Sequence, residues 1–586
     1  MNMPDNALLY WNTVKCLKPV QAWHQVKKRI CGRRGNARLE RLQRLEAPRV
    51  AGISILIPEL DCDRRYLSRF CVRSLMEGRV TLLHETHRPG RGWQVADASH
   101  LWNYNLHYLE FLVPLAVEYA ESADEAYFLK WKEFVQGWMG QQSADSLEPY
   151  TISVRVVSLL ACMEILEKKI RGTPLEKTLL DSIYRQYRYL QENQELALLA
   201  NHYFENLKAV VICSLLFGEA DVYRRHFGRF LEQAGEQILP DGMHYERSFL
   251  YHRIILEDIL RVYMALNSSG HACDAEKLLP AIRSMSLVLA DVEQGFPGRT
   301  PLFNDAADNA GKDAGQLLAA VQRLCGFGGK PAERPFWHRK ESGYCALSSG
   351  RIFLLLDCGD IGPSYMGGHA HCDCLSFEMS LDGRCLFANS GTGCYQGARR
   401  AFFRSTAAHN TVMIDGREQA QLWGEHRAGK RMAHISGSAG PGRLSGSFLS
   451  WRGDGFRRVI RLDGRSGKLT VEDSFRAHDR GVHAARQFFH LAPGLSYERH
   501  GQLVYILGRR AAAAGGAGKY PAAAIRIPEG SGARIYRSGP AADHAQEFGL
   551  YRKKQVLEIR TPFAGCVDVR IVIETGRGME WTGRAR

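Results

Sequence analysis

The hydrophobic period of this 586-residue chain changes once, near residue 335, and that change most limits what the chain can fold into. From about 100 to 330, apolar residues recur every three or four positions, as in LWNYNLHYLEFLVPLAVEYA, ISVRVVSLLACMEILEKKI and LKAVVICSLLFGEADVYRRHFGRFLEQAGEQIL. Such spacing sets them on one face of successive amphipathic helices joined by short polar turns. After 335 the runs shorten and alternate, as in RIFLLLDCG, CLSFEMSL, NTVMID, KLTVEDSF and VDVRIVIE, separated by Gly, Asp and Ser. A period of two with frequent turns predicts a large antiparallel β-sandwich. The expected fold class is α+β multidomain: a partly helical extension over 1–95, a helical domain over 96–335 and an antiparallel sandwich over 336–586. No fixed-period repeat marks a solenoid, although paired helices can stack into a ring. The segment RRAAAAGGAGKYPAAA reads as a permissive surface loop.

The formal charge of +15 lies almost wholly in the second half, with 34 Lys+Arg against 22 Asp+Glu over 341–586 but 43 against 40 over 1–340. A basic surface concentrates anionic partners. Nucleic acid falls behind acidic glycan because no basic arm, zinc-finger spacing or aromatic RNA-binding motif accompanies the charge. The first residues carry charge throughout and contain no apolar core of signal-peptide length, so the expectation is a cytoplasmic protein, or a periplasmic one if the true N-terminus differs. No stretch approaches the ~18 uninterrupted apolar residues of a membrane span. Fifteen cysteines, mostly within apolar runs, read as buried free thiols.

Three clusters carry the chemistry. The first, Asn201–Asn206 (NHYFEN), opens a helix, so that Asn201, His202 and Glu205 share a face, with Asn201 also suited to a cap. The second, Asp241–His252 (DGMHYERSFLYH), packs Tyr245, Glu246, Tyr251 and His252 into one short stretch. The third, Gly367–Cys374 (GGHAHCDC), if extended, places His369, His371 and Asp373 on one face, and its alternating histidines suit a metal. Arg399, Arg400 and Arg404 precede His409 and suit a sulfate or carboxylate.

Taken together, NHYFEN, DGMHYERSFLYH, GGHAHCDCLSFEM and FFRSTAAHNTVMIDGREQAQLWGEHR resemble the heparinase II/III-like polysaccharide lyases in residue type, order and placement, from about residue 100 to 430. The resemblance implies an incomplete (α/α) toroid before the sandwich, and β-elimination on an anionic, uronic-acid-containing polysaccharide. It implies that Asn201 and His202, with His369, neutralise the sugar carboxylate and that Tyr251 is the Brønsted base and also a candidate acid. Because tyrosine is a poor base, cations or donors must favour its phenolate, with His369, Arg404 or His252 as suppliers. Tyr245, Tyr395 and Glu205 are secondary candidates, and Glu205, Tyr245, His252, Tyr395, Arg404 and His409 are assigned to substrate binding. No cofactor is required, but relatives hold a structural zinc whose ligands map to His371, Asn389 and His409. Asn389 stands where a carboxylate is expected, with Asp373 as the substitute.

The missing leader further suggests action on the organism's own exopolysaccharide. Two other readings stay open: a catalytically silent glycan-binding protein of exopolysaccharide assembly, and a glycoside hydrolase on the same toroid, for which Glu205, Glu246 and Asp305 supply carboxylates. Oligomeric state is not read from the sequence.

Overall fold

The computed structural model describes residues 3–31, 42–140, 145–327, 333–509 and 519–575. Up to Cys325 the described residues are mainly helical, with a hairpin of Val80–Leu82 and Glu85–His87 and an isolated bridge between Ile238 and His244. The central helix is Ala200–Leu216, which packs against Pro149–Ile165, Pro174–Glu192, Ala220–Gln237 and Phe249–Ser268. Every residue of it except His202 is buried, which is why its sequence becomes apolar on all sides after the first turn. The charges inside this core pair with each other: Lys208 lies between Glu205 and Asp258, so no ion there is left alone in a medium that would penalise it heavily.

Beyond residue 335 the chain forms antiparallel sheets of five, eight and four strands. The five-stranded sheet is a simple meander of Phe336–His338, Tyr344–Ser349, Ile352–Asp357, Phe377–Leu381 and Arg384–Phe387. It joins the two halves of the molecule. In Ile352–Asp357 every residue is buried, and alternation divides them. Ile352, Leu354 and Leu356 enter the sandwich core, whereas Phe353 and Leu355 meet Phe249, Val288, Val292 and Phe296 of the helical half. Gly295, at the end of helix Leu279–Gly295, is part of this seam. A Cβ there would lie 2.1 Å from the Phe353 ring, so only glycine lets the helix end reach the sheet.

Most of the predicted permissive loop, residues 510–518, lies outside the described residues, but its end is a strand, Lys519–Arg526. The register slips between Ile506 and Leu507, opposite Pro521, where the missing N–H of proline would otherwise break the ladder. The fourteen described free cysteines form no disulfide.

Candidate active site

Three loops deliver the site, each through residues held in the left-handed region without being glycine. Leu199 and Ala200 (φ 62° and 53°) precede Asn201, Arg247 (φ 54°) precedes the helix bearing Tyr251, and Asn304 (φ 52°) precedes Asp305. Each costs about 1–3 kcal/mol and persists only where surrounding contacts enforce it. Ser248 caps helix Phe249–Ser268 by accepting from the Tyr251 N–H, and its hydroxyl donates to the Asp305 carbonyl, tying the second loop to the third.

The side chains then form a chain of contacts that crosses from one half of the molecule to the other. Glu246 Oε1 accepts from Asn201 Nδ2 at 2.9 Å and from its backbone N–H at 3.2 Å. The other Glu246 oxygen is buried without a hydrogen-bond partner, 3.8 Å from His369 Nε2. The His369 ring packs against Tyr251 at 3.9 Å between centroids with the planes tilted by 37°, and the Tyr251 hydroxyl meets that of Tyr395 at 2.7 Å. On the far side His202 bonds Glu195 at 2.9 Å and lies 4.8 Å from the Tyr150 ring. Thus Tyr251 of the helical half meets His369 of the sandwich half, and Glu246, which lies beside His369 and acts on His202, links them to the first loop.

Asp305 sets the protonation pattern. It accepts from both terminal nitrogens of Arg400, from His369 Nδ1 and His371 Nε2 at 2.8 Å each, and from Thr392 at 3.2 Å. Burial opposes its ionisation, but Arg400 and the two imidazoles outweigh that and hold the carboxyl well below the usual range. Asp305 holds His369 at Nδ1, so Nε2 is the ring nitrogen that points away from it, 3.8 Å from Glu246 Oε2. At His202 burial also opposes charge, but Glu195, Glu246 and Glu148 prevail and push the imidazole up. Tyr251 is pushed well above its ordinary value by burial, by Tyr395 and by Asp305, so it is protonated at rest.

That last result corrects the expectation that cations beside Tyr251 favour its phenolate. His252 is fully buried and turned away, bonding the Met285 carbonyl and the His244 N–H, and burial pushes it down to about 3. Arg404 is equally inaccessible. It donates to the carbonyls of Gly367, Ala370, Gly424 and Arg427, bracing the GGHAH loop, so it is not free to bind a ligand. Its neighbour one helical turn earlier, Arg400, carries the ion pair. Glu205 is consumed by Lys208, and Tyr245 bonds Tyr365, which donates to Glu236. Tyr395 is at the site as expected. Tyr150 and His426, 5.6 Å from the Tyr395 ring, were not singled out, because nothing in their local pattern separates them from packing residues.

The GGHAHCDC segment is a loop, not a strand. His371, Asp373 and His409 nevertheless converge, with one ligand atom from each within 4.8 Å of the others. Asn389 is not the third member, since its side-chain oxygen accepts from Ser376 at 2.7 Å and from the Asn410 N–H at 2.9 Å. Hydrogen bonding makes the set fit a cation. His371 gives its Nε2–H to Asp305 and His409 gives its Nδ1–H to the Ser405 carbonyl, so the facing His371 Nδ1 and His409 Nε2, 3.1 Å apart, are both lone pairs. Two nitrogens about 2.0–2.1 Å from a tetrahedral zinc stand at nearly that separation.

Residues 86–322 match the Heparinase II/III N-terminus family and residues 331–557 the Heparinase II/III-like, C-terminal family. The chain is 24% identical over 361 residues to a heparin-sulfate lyase of Pedobacter heparinus, covering 55% of this chain and 53% of that protein. It is 23% identical over 399 residues to a heparin-sulfate lyase of Bacteroides thetaiotaomicron, covering 59% and 57%. The match thus spans little more than half the length of these curated relatives. The fold is similar to the crystal structure of heparinase III, with a TM-score of 0.70 and 15% identity over 96% of this chain and 92% of that one.

Proposed function

The chain belongs to the heparinase II/III-like family, with the toroid-plus-sandwich fold of that group, and we propose that it is a polysaccharide lyase that cleaves a uronic-acid-containing polysaccharide by β-elimination. The observation that carries this reading is the pairing of His369 with Tyr251: an imidazole held at Nδ1 by Asp305 and packed against a protonated phenol, with Glu246 linking it to Asn201.

In the reading we favour, the Asn201 amide and the His202 imidazolium face the sugar carboxylate and draw off its charge, so the adjacent C5–H becomes acidic and the enolate-like intermediate is stabilised. His369 Nε2 takes the C5 proton. The electron pair of that C–H bond becomes the C4–C5 double bond, the C4–O4 bond breaks, and Tyr251 gives its hydroxyl proton to the departing oxygen. The proton on His369 then returns to the Tyr251 phenolate by way of solvent and the Tyr395 hydroxyl, restoring both groups. Because the two rings are in direct contact, 3.9 Å between centroids, they act from one face of the sugar. That geometry suits a glucuronate, in which C5–H and C4–O lie on the same face. The base role thereby moves from Tyr251 to His369.

A glycoside hydrolase needs two available carboxylates. Asp305 is spent on Arg400 and two histidines and Glu205 on Lys208, so of these three only Glu246 keeps an unbonded oxygen and no pair is available, which favours elimination. The proposal extends to a structural zinc held by His371, Asp373 and His409, which would fix the loop that carries His369. The basic sandwich supports an anionic polymer, and a cytoplasmic or periplasmic role on the organism's own exopolysaccharide is part of the same proposal.

The test is incubation of the purified protein with uronate polymers, including glucuronate-rich exopolysaccharides, while ultraviolet absorbance reports the 4,5-unsaturated uronate. Its appearance supports the reading. Reducing ends without unsaturation indicate hydrolysis, and binding without any product indicates a silent glycan-binding protein.

A further inference from the structure

Seven of the twelve large hydrophobic side chains exposed among the described residues lie between positions 8 and 26: Leu8, Tyr10, Trp11, Val14, Val20, Trp23 and Val26. They stand on two helices, Met3–Val14 and Pro19–Cys31, and follow the same spacing on each. Leu8, Trp11 and Val14 are three apart, as are Val20, Trp23 and Val26, so each set forms one outward stripe. Trp11 and Trp23 are the most open, at 64% and 66%.

These helices are docked on the protein through their other faces. Leu9, Asn12 and Gln21 are buried, Thr13 donates to the Ala428 carbonyl and accepts from Trp423 Nε1, and Gln21 donates to the Leu198 carbonyl. Lys18 pairs with Glu236 and lies 4.2 Å from the Tyr365 ring. The outward stripe is therefore what remains after the segment has made its contacts with both halves of the molecule. Lys15 and Lys27 are exposed beside it. Across residues 6–39 of the sequence there are eight Lys and Arg and no Asp or Glu.

We propose that this surface docks on an anionic lipid bilayer. Tryptophan and tyrosine between aliphatic side chains and lysines are the composition that settles at the boundary of headgroups and acyl chains. The two attractions, apolar insertion and headgroup charge, together supply the pair of signals that stable attachment needs. A second copy of the chain is a poorer occupant, because the two faces would carry like charge. A soluble acidic glycan satisfies the lysines but leaves Leu8, Val14, Val20 and Val26 without an apolar partner. No helix among the described residues is long and apolar enough to cross a membrane, so the attachment is to the surface. The proposal does not depend on the lyase chemistry.

The experiment is vesicle flotation of the full chain, comparing phosphatidylcholine alone with phosphatidylcholine containing about one-third phosphatidylglycerol. We expect binding to the anionic vesicles only, weakening as salt rises, with Trp11→Ser/Trp23→Ser and Lys15→Glu/Lys27→Glu each reducing it about tenfold or more. Circular dichroism confirms that both variants are folded. Three results overturn the proposal: no flotation with anionic vesicles, flotation unchanged in both variants, or the two tryptophans being needed instead for a dimer in sedimentation velocity or for retention on an acidic polysaccharide.

Discussion

Asp305 holds three functions at one position: it neutralises Arg400, fixes the tautomer of His369 and fixes that of His371. Asparagine cannot replace it, because an amide has one acceptor oxygen and brings N–H donors to face N–H donors. Asp305→Asn is expected to lower kcat about 10²–10⁴-fold with a much smaller change in KM, since His369 loses its orientation while the carboxylate-binding groups remain. Steady-state kinetics on a cleaved polymer checks this, and an unchanged kcat would remove Asp305 from the mechanism. His202 gives a pH prediction. Its folded pKa is raised, so the imidazolium is present below that value and lost as pH rises through it. The alkaline limb of kcat/KM should therefore lie above the ordinary histidine value, and Glu195→Gln should move it to lower pH. A limb that Glu195→Gln leaves in place would mean that His202 charge is not required. At this scale the clusters were legible because polar groups crowded sequences that were otherwise apolar. Which arginine pointed inward was not, because Arg400 and Arg404 are one turn apart and share a helix face. Nor was the use of Glu246 by Asn201, a contact between loops that no local spacing encodes.

Among the elements, the seam between helix Leu279–Gly295 and strand Ile352–Asp357 has the least tolerance. Gly295→Val forces a branched side chain into the Phe353 ring and should destabilise by about 1–3 kcal/mol, read as a lower Tm in a thermal melt. Combining it with Phe353→Leu should recover part of that loss. Equal Tm values for Gly295→Val and the unsubstituted protein would show that the seam is loose. The element types here were readable, since Phe353 and Leu355 alternate with Leu354 and Leu356 in a run that is buried on both faces. The GGHAHCDC segment does not take the extended form in which its alternation would put His369, His371 and Asp373 on one face. Alternation of polar and small residues fits a strand, but here hydrogen bonds from Arg404 and Asp305 shape a loop that still gathers His369 and His371 at one carboxylate. Pairing order among the strands was not readable, because it is set by contacts between distant segments such as Thr470 and Val572.

Over the whole molecule, the change of period near residue 335 separates helices from sheets, but only the folded arrangement brings Tyr251 and Glu246 of one half against His369 of the other. The proposed zinc makes a prediction at this scale, because it would tie two separate segments of the sandwich half together, the one with His371 and Asp373 and the one with His409. The protein as isolated should carry about one zinc per chain by elemental analysis, and His409→Ala should lose the metal and lower Tm. Metal absent from a well-folded, active preparation would refute that part. The most direct test of the lyase reading is Tyr251→Phe, which keeps the ring that packs against His369 and removes only the hydroxyl. Formation of 4,5-unsaturated ends should fall by about 10²–10⁴-fold while affinity for the polymer stays within about threefold. Turnover by Tyr251→Phe close to that of the unsubstituted enzyme would contradict the assignment of the proton transfer to this pair.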